Sequence, residues 1–541
     1  MEVLGSVGLL WDRALSGDPA GAAREAVALA RDTESDDDRA IALAFQAFCE
    51  LTLCRYPDGA ETARRAAERE PTSELAHFYV DSMRLLAAAM ADQDGDTGVA
   101  VDFDEVMSRS TAAHRAGVNT LLALHPLIEA AMATGRFTVV EELVDSCPPS
   151  VECSSEQVAT WVRLQLVRSL LFRGDLGAVV AECDALATSG ALARHPQAGM
   201  LVNALLCYVA AHRGDRAEVE ARSARVLAEA RRVVTYVQVG SCLLVSWSFS
   251  LIGQVQRAAA LLLTSAGGPS LARIKTWDRA FGYDLLVTAA LQRGELDAAR
   301  QWAALTAPLA RHAVAAAAVE RALSRIAAAE GELAEALDRA EASAAHDAAT
   351  GARADELRSR LLVAGAMAAA GEHGHAIDSL GSTARDADEL GAVALRAIAS
   401  RELRRLTDRG GWESLSERER EIAALAAEGH SNRVIASTLF ISDRTVQSHI
   451  SRTLRALGVG SRAAIPLVLS TAPPGDLPPG LTDRQRQVAG LVAAGRSNAE
   501  IAEALDISTK TVEKHLAGIF ERWGVSSRTA IATIAIGADS R

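Results

Sequence analysis

The sequence predicts an all-α protein, a long row of stacked helix pairs followed by two small helical units of one kind. Three observations carry this. Alanine and leucine dominate a chain of 541 residues in which aromatics make up only 4%, a balance that favours helices over sheets. A turn glycine recurs every 37 to 41 residues, at Gly135, Gly174, Gly214, Gly253, Gly294, Gly331 and Gly371. The stretch from Leu415 to Ile465 is then written a second time from Leu481 to Ile531, at a constant offset of 66 residues and without a gap. A hydrophobic content of 49% excludes a disordered chain, and the length calls for several domains.

Residues 1–406 form the first part. Most of the recurring glycines precede an acid, as in Arg173-Gly174-Asp175, Arg213-Gly214-Asp215 and Arg293-Gly294-Glu295. An apolar helix is predicted before each glycine and an amphipathic one after it, for example over 295–307. Gly17-Asp18 and Asp58-Gly59 mark two earlier, less regular junctions. A helix pair about every 40 residues reads as a solenoid, each pair burying its faces against its neighbours. The period exceeds that of the standard tetratricopeptide repeat, so the region resembles that repeat without matching its length.

Two features of this region invite a functional reading. The run from Asp92 to Thr97 resembles a calcium loop, but Thr97 and Phe103 stand where such a loop needs glycine and glutamate, so an acidic connection between repeats is expected. The second is a concentration of Tyr236, Trp247, Trp277, Phe281, Tyr283 and Trp302. Tyr236 and Trp277 each stand 17 residues before their glycine, with Gln238 and Arg279 two positions further on. First helices line the concave face of a solenoid, so Tyr236, Gln238, Trp277 and Arg279 are candidates for the floor of an effector pocket. Ordinary core packing is the competing reading.

The tail begins after a break at 407–412 and divides into 412–470, a proline-rich linker 471–480, and 481–541. Ser416 with Glu419, and Thr482 with Gln485, are capping boxes that start a helix in each copy. In the first copy that helix buries Ile422 and Leu425 and stops at Gly429; a second carries Ile435, Ala436 and Leu439. Ser442 caps a third helix, whose Val446, Ile450 and Leu457 fall on one side, joined by Thr453 or Leu454. The opposite side presents Gln447, Ser448, Ser451 and Arg455, flanked by Arg444 and Arg452. Two short helices with a tight turn, the second polar and cationic on its outer face, describe a helix-turn-helix.

Gly429-His430-Ser431-Asn432 answers Gly495-Arg496-Ser497-Asn498, and Ile441-Ser442-Asp443-Arg444-Thr445-Val446 answers Ile507-Ser508-Thr509-Lys510-Thr511-Val512. Each copy continues to a histidine, His449 or His515, and closes on Gly458 to Arg462 or Gly524 to Arg528. On these residues both copies resemble the LuxR-type DNA-binding domain, a four-helix module of bacterial transcription regulators. The resemblance implies that Gln447, Ser448 and Ser451 face base edges in the first copy, and Glu513, Lys514 and Ala517 in the second. Arg444, Thr445, Arg455, Lys510 and Thr511 would lie near phosphate, and Arg452, flanking the polar side, also counts among the expected DNA-binding residues. A solenoid followed by such a tail also resembles the C-terminal part of large ATP-dependent LuxR regulators of the maltose-regulator type. The copies depart from the family pattern unequally. Val434 replaces a usual acid, Pro466 falls one turn into the fourth helix, and Glu513, Gly518 and Glu521 weaken the second groove-facing side.

Charge and composition set further limits. The tail from Trp412 onward carries 15 basic and 14 acidic side chains, so of the net −13 the preceding region carries −14. DNA contact would then fall to the tail. Only Lys275, Lys510 and Lys514 are lysines, and none follows a glycine, so a phosphate loop of the Gly-x-x-x-x-Gly-Lys type is absent. No triad or metal cluster emerges, so neither catalysis nor a cofactor is expected. The seven scattered cysteines, Cys49, Cys54, Cys147, Cys153, Cys183, Cys207 and Cys242, read as core thiols of a cytoplasmic protein. No stretch reads as a targeting or membrane-spanning segment.

The sequence therefore predicts a bacterial transcription regulator, with duplex DNA and RNA polymerase as partners and a small-molecule or protein effector at the solenoid. The rivals are an interaction scaffold with a vestigial tail and a sigma-like initiation factor. The duplicated module argues against the latter.

Overall fold

The repeating glycines do in the fold what their spacing asks of them. In the computed structural model all seven have positive φ, between 74° and 88°, the region where a Cβ is penalised and glycine is not. Each ends a first helix one or two residues earlier: Leu121–Ala133, Glu156–Phe172, Pro196–His212, Tyr236–Leu251, Thr276–Gln292, Ala313–Glu330 and Arg353–Ala369. Where the residue that follows is aspartate, it caps the next helix, whereas Glu295 and Glu332 make no such bond. Asp175 accepts from the Ala178 N–H at 2.9 Å and Asp215 from the Glu218 N–H at 3.0 Å, satisfying donors the new helix leaves open.

The structure describes residues 2–15, 17–91, 103–115, 121–145, 156–230, 234–407, 415–456, 462, 465, 481–493, 498–505, 507–523, 525 and 531. Every regular element among them is helical. The acidic run Asp92–Thr97, Cys147, Cys153, the 471–480 linker and Pro466 lie outside the described residues.

One early junction differs from its sequence reading. Asp58-Gly59 lies inside the Tyr56–Ala67 helix, and the turn falls at Cys54, with φ 59°. A Cβ on Gly59 would stand 2.7 Å from the Leu51 side chain, so the glycine serves close approach of two helices.

The chain divides into two compact units, residues 1–370 with 383–397, and residues 371–382 with 398–541. In the first, a large apolar core runs from Val7 to Val319, with a second, smaller cluster around Val287, Ala299 and Ile326. The solenoid curls until early and late helices meet. The Tyr56 hydroxyl donates to the Arg273 carbonyl at 2.8 Å, and the Thr276 hydroxyl to the Met90 carbonyl at 3.0 Å. The rings of Phe172 and Trp277 lie 6.1 Å apart across this seam.

In the second unit the duplicated stretch forms two helical triplets: Glu417–Ala427, Asn432–Leu439 and Asp443–Ala456, then Asp483–Ala493, Asn498–Ala504 and Thr509–Trp523. Each has its own core. Ile422, Ile435, Val446, Ile450 and Ile465 fill the first, and Val488, Ile501, Val512, Leu516 and Ile531 the second. Both capping boxes form. The Ser416 N–H donates to Glu419 at 3.0 Å and the Thr482 N–H to Gln485 at 3.1 Å. The Ser416 hydroxyl also holds the Glu419 carboxyl below its usual range.

Candidate functional site

The turn between the second and third helices of the first triplet is tied by the Ile441 N–H, which donates to the Ala436 carbonyl at 3.0 Å; Ile507 and Ala502 repeat the bond at 2.9 Å. Ser442 then caps the third helix, accepting from the Thr445 N–H at 3.2 Å, as Ser508 does from Thr511 at 3.1 Å. The two hydroxyls of each cap also bond one another, at 2.7 and 2.8 Å. Thr445 and Thr511 are thereby half-buried at the helix start. An interaction the sequence did not suggest appears in both copies: the Arg418 guanidinium donates to the Leu439 carbonyl, and Arg484 to Leu505. Each arginine ties the first helix to the C-terminal end of the second, where carbonyls lack helical partners.

With the inner side of the third helix fixed by Val446, Ile450 and Thr453, all buried, its outer side is determined. Arg444, Gln447, Ser448, Ser451 and Arg452 are exposed, and the Ser451 hydroxyl donates back to the Gln447 carbonyl at 2.9 Å. In the second copy Lys510, Glu513, Lys514 and Ala517 are exposed on the equivalent side. Arg455 lies on the helix, but its side chain is outside the described residues, as are Gly458 and Gly524. Phe440, which no sequence pattern singled out, occupies the turn in a left-handed conformation and is 95% exposed. His449 is half-buried, with Nδ1 3.9 Å from Glu419. No cluster able to hold a metal ion occurs among the described residues.

The four aromatic-region candidates separate. Tyr236 lines a cavity bounded by first helices of successive repeats, with Trp161, Leu205, Leu244 and Trp247 in its lining. Trp277 does not; only 1% exposed, it packs in the seam beside Phe172. Gln238 caps its own helix, accepting from the Val234 and Thr235 N–H groups. Arg279 donates to the Ile274 carbonyl. What joins Tyr236 and Trp277 is Lys275, whose ammonium lies 5.7 Å from the first ring and 4.8 Å from the second.

Lys275 belongs to a buried polar cluster at one end of the cavity. It meets Glu129 at 3.0 Å and Asp278 at 3.5 Å, and Arg168 pairs with the same glutamate. Burial alone would raise the Glu129 carboxyl, but the two cations outweigh it and hold the group well below the usual carboxylate range. Gln165 donates to Glu129 at 2.8 Å and to His125 Nδ1 at 2.9 Å, which leaves His125 Nε2 to donate to the Tyr236 hydroxyl at 2.8 Å. The sequence did carry one signal for this site. Lys275 is the only lysine before residue 510 in a chain that otherwise uses arginine.

A family profile described as "Bacterial regulatory proteins, luxR family" matches residues 413–468 and 479–535. Over 55 residues, 10% of the chain, it is 46% identical to a protein of Mycobacterium tuberculosis (strain ATCC 25618 / H37Rv) named as an HTH-type transcriptional regulator, Rv0890c, and spans 6% of that protein's length. Over 58 residues, 11% of the chain, it is 45% identical to the monoamine regulon transcriptional regulator of Klebsiella aerogenes, spanning 26% of it. The spore germination protein GerE of Bacillus subtilis is 45% identical over 49 residues, 9% of this chain and 66% of that one. Among solved structures, the APC/C hetero-tetramer Cut9-Hcn1 overlaps 70% of the chain and 77% of its own at 12% identity, with a TM-score of 0.39. The Rap protein complexed with competence and sporulation factor overlaps 69% of the chain and 98% of its own at 11% identity, with a TM-score of 0.35. The C-terminal region of this all-α chain carries a LuxR-type helix-turn-helix domain, similar to those of bacterial transcriptional regulators.

Proposed function

We propose that the chain is a transcription regulator that reads duplex DNA through the outer sides of its two third helices, under control of the repeat region. One observation carries the reading. Once Val446, Ile450 and Thr453 are buried, Arg444, Gln447, Ser448, Ser451 and Arg452 are exposed, with Asp443 at the helix start, a set able to meet phosphate at its edges and bases between. Glutamine makes a two-point contact with adenine, and arginine neutralises phosphate. On this reading the first copy supplies most of the affinity. The second replaces two uncharged polar positions with the opposed charges of Glu513 and Lys514, which nearly cancel towards a polyanion.

The repeat region would bind a small-molecule or protein effector and change how the tail meets DNA or RNA polymerase. The setting is the cytoplasm of a bacterium; among the described residues no helix is long and apolar enough to cross a membrane. The test uses the full chain and a pool of random duplexes, from which bound sequences are selected and their affinities measured against salt. Arg444→Ala with Arg452→Ala should weaken all sequences alike and lower the salt slope by about 1 for each phosphate no longer neutralised. Unchanged affinity and slope would overturn the assignment of this face to DNA.

A further inference from the structure

The cavity has the construction of a small-molecule site, and its charges point to the class of molecule. Its lining is mainly apolar with a few convergent polar groups, as in small-molecule pockets. Its walls come from the first helices of successive repeats, with Trp161, Leu205, Tyr208, Leu244 and Trp247 giving an apolar and aromatic lining. At one end sits the polar cluster. Glu129 is saturated by Lys275, Arg168 and Gln165. Asp278 is not: it lines the cavity, is only 7% exposed, and its ion pair among the described residues is with Lys275 at 3.5 Å, the long limit of a hydrogen bond. A buried carboxylate so placed can take a further donor, and burial accordingly pushes its carboxyl up.

Charge decides the rest. Glu129 and Asp278 are balanced by Lys275 and Arg168, and Asp355, also in the lining, is paired with Arg358 at 2.8 Å. No surplus of either sign is left for an ionic ligand.

We propose that this cavity binds an uncharged, mainly apolar, ring-bearing small molecule, whose single hydrogen-bond donor meets Asp278. The proposal rests on the repeat region's role as receiver for its purpose, though not for its binding. Gly240 supplies the test. It lines the cavity from within the Tyr236–Leu251 helix, and a Cβ there would meet nothing within 4 Å. A Cβ at 240 therefore meets open space, so a larger side chain there is directed into the cavity, and replacing a mid-helix glycine favours the helix.

The probe is N-phenyl-1-naphthylamine, which is neutral, aromatic, carries one N–H donor and fluoresces when desolvated. The full chain should take it up at one equivalent. Gly240→Phe should weaken binding by about tenfold or more with the melting temperature held or raised. Asp278→Asn should weaken it severalfold, while Gly365→Phe, on the exposed side of a helix outside the cavity, leaves it unchanged. Uptake that is unsaturable, or indifferent to Gly240→Phe in a folded chain, would overturn the site. Equal or tighter binding of the anionic anilinonaphthalene sulfonate would overturn the uncharged class. Neither outcome depends on DNA binding, so loss of the regulator reading and loss of the cavity are told apart.

Discussion

At the scale of single residues, the most consequential groups are polar side chains placed where water does not reach. His212 is fully buried, its ring 4.7 Å from that of Tyr208, and neither ring nitrogen has a hydrogen-bond partner among the described residues. Burial, with Arg358 adding repulsion against Asp355, pushes its imidazole down to about 4. The unfolded chain binds this proton from about pH 6.5, the folded chain only near 4, so the unfolded state holds more protons between them. Stability from this group is thus present above about pH 6.5 and lost as pH falls towards 4, on the order of 3 kcal/mol at full loss. His212→Phe keeps an aromatic ring and removes the titration. Its thermal stability should fall less between pH 6.5 and 4 than that of the unaltered chain. Equal acid sensitivity in the two would contradict the burial argument. Trp277 belongs to this scale as well. Its spacing relative to Tyr236 was legible, but periodicity places a residue on a helix face without saying which neighbour covers it. The seam that buries Trp277 is formed by Phe172, a hundred residues earlier and invisible to any local pattern.

At the scale of elements, local pairings are legible in the sequence and long-range polar ones are not. The capping boxes at Ser416 and Thr482, the glycine turns and the inner side of the third helix all follow from residues within one or two turns of each other. Asp58-Gly59 misled because a glycine before a helix and a glycine inside one look alike until Leu51 packs on it. The largest element-level feature had no sequence signal. Arg321, fully buried in the Ala313–Glu330 helix, meets Asp284 at 3.3 Å, Asp347 at 2.9 Å and Ser359 at 3.0 Å, joining four helices. Burial raises the Asp347 carboxyl to about 7 even beside this guanidinium. Removing the cation strands carboxylates in the interior, so Arg321→Ala should cost about 3–5 kcal/mol. Without the arginine the Asp347 carboxyl is raised further, and the stability it contributes is lost as pH climbs through that higher value. The deficit measured by denaturant unfolding should therefore be larger at pH 8 than at pH 5. A deficit under about 1 kcal/mol, or one that grows towards acid, would contradict the network's role.

At the scale of the whole molecule, division of labour follows from charge and duplication. The repeat region is acidic and encloses a cavity, while the tail is nearly neutral and repeats one helix-turn-helix geometry with two different outer faces. LuxR-type modules resemble other helix-turn-helix units in suiting paired half-sites, which lie about 34 Å apart per turn of DNA. The 11 residues from Ser470 to Gly480 can span roughly 40 Å when extended, at about 3.6 Å each. One chain can therefore place both copies on adjacent half-sites, the second held at high local concentration by the first. Because Gln447, Ser448 and Ser451 are answered by Glu513, Lys514 and Ala517, the two halves of such a site should differ.

The most direct measurement is selection of bound sequences from random duplexes by the full chain, repeated with Gln447→Ala. The expected result is an enriched asymmetric site with two unlike halves about one helical turn apart, and loss of preference at one base position in one half only. A palindromic site, no enriched sequence at all, or a preference untouched by Gln447→Ala would contradict the account.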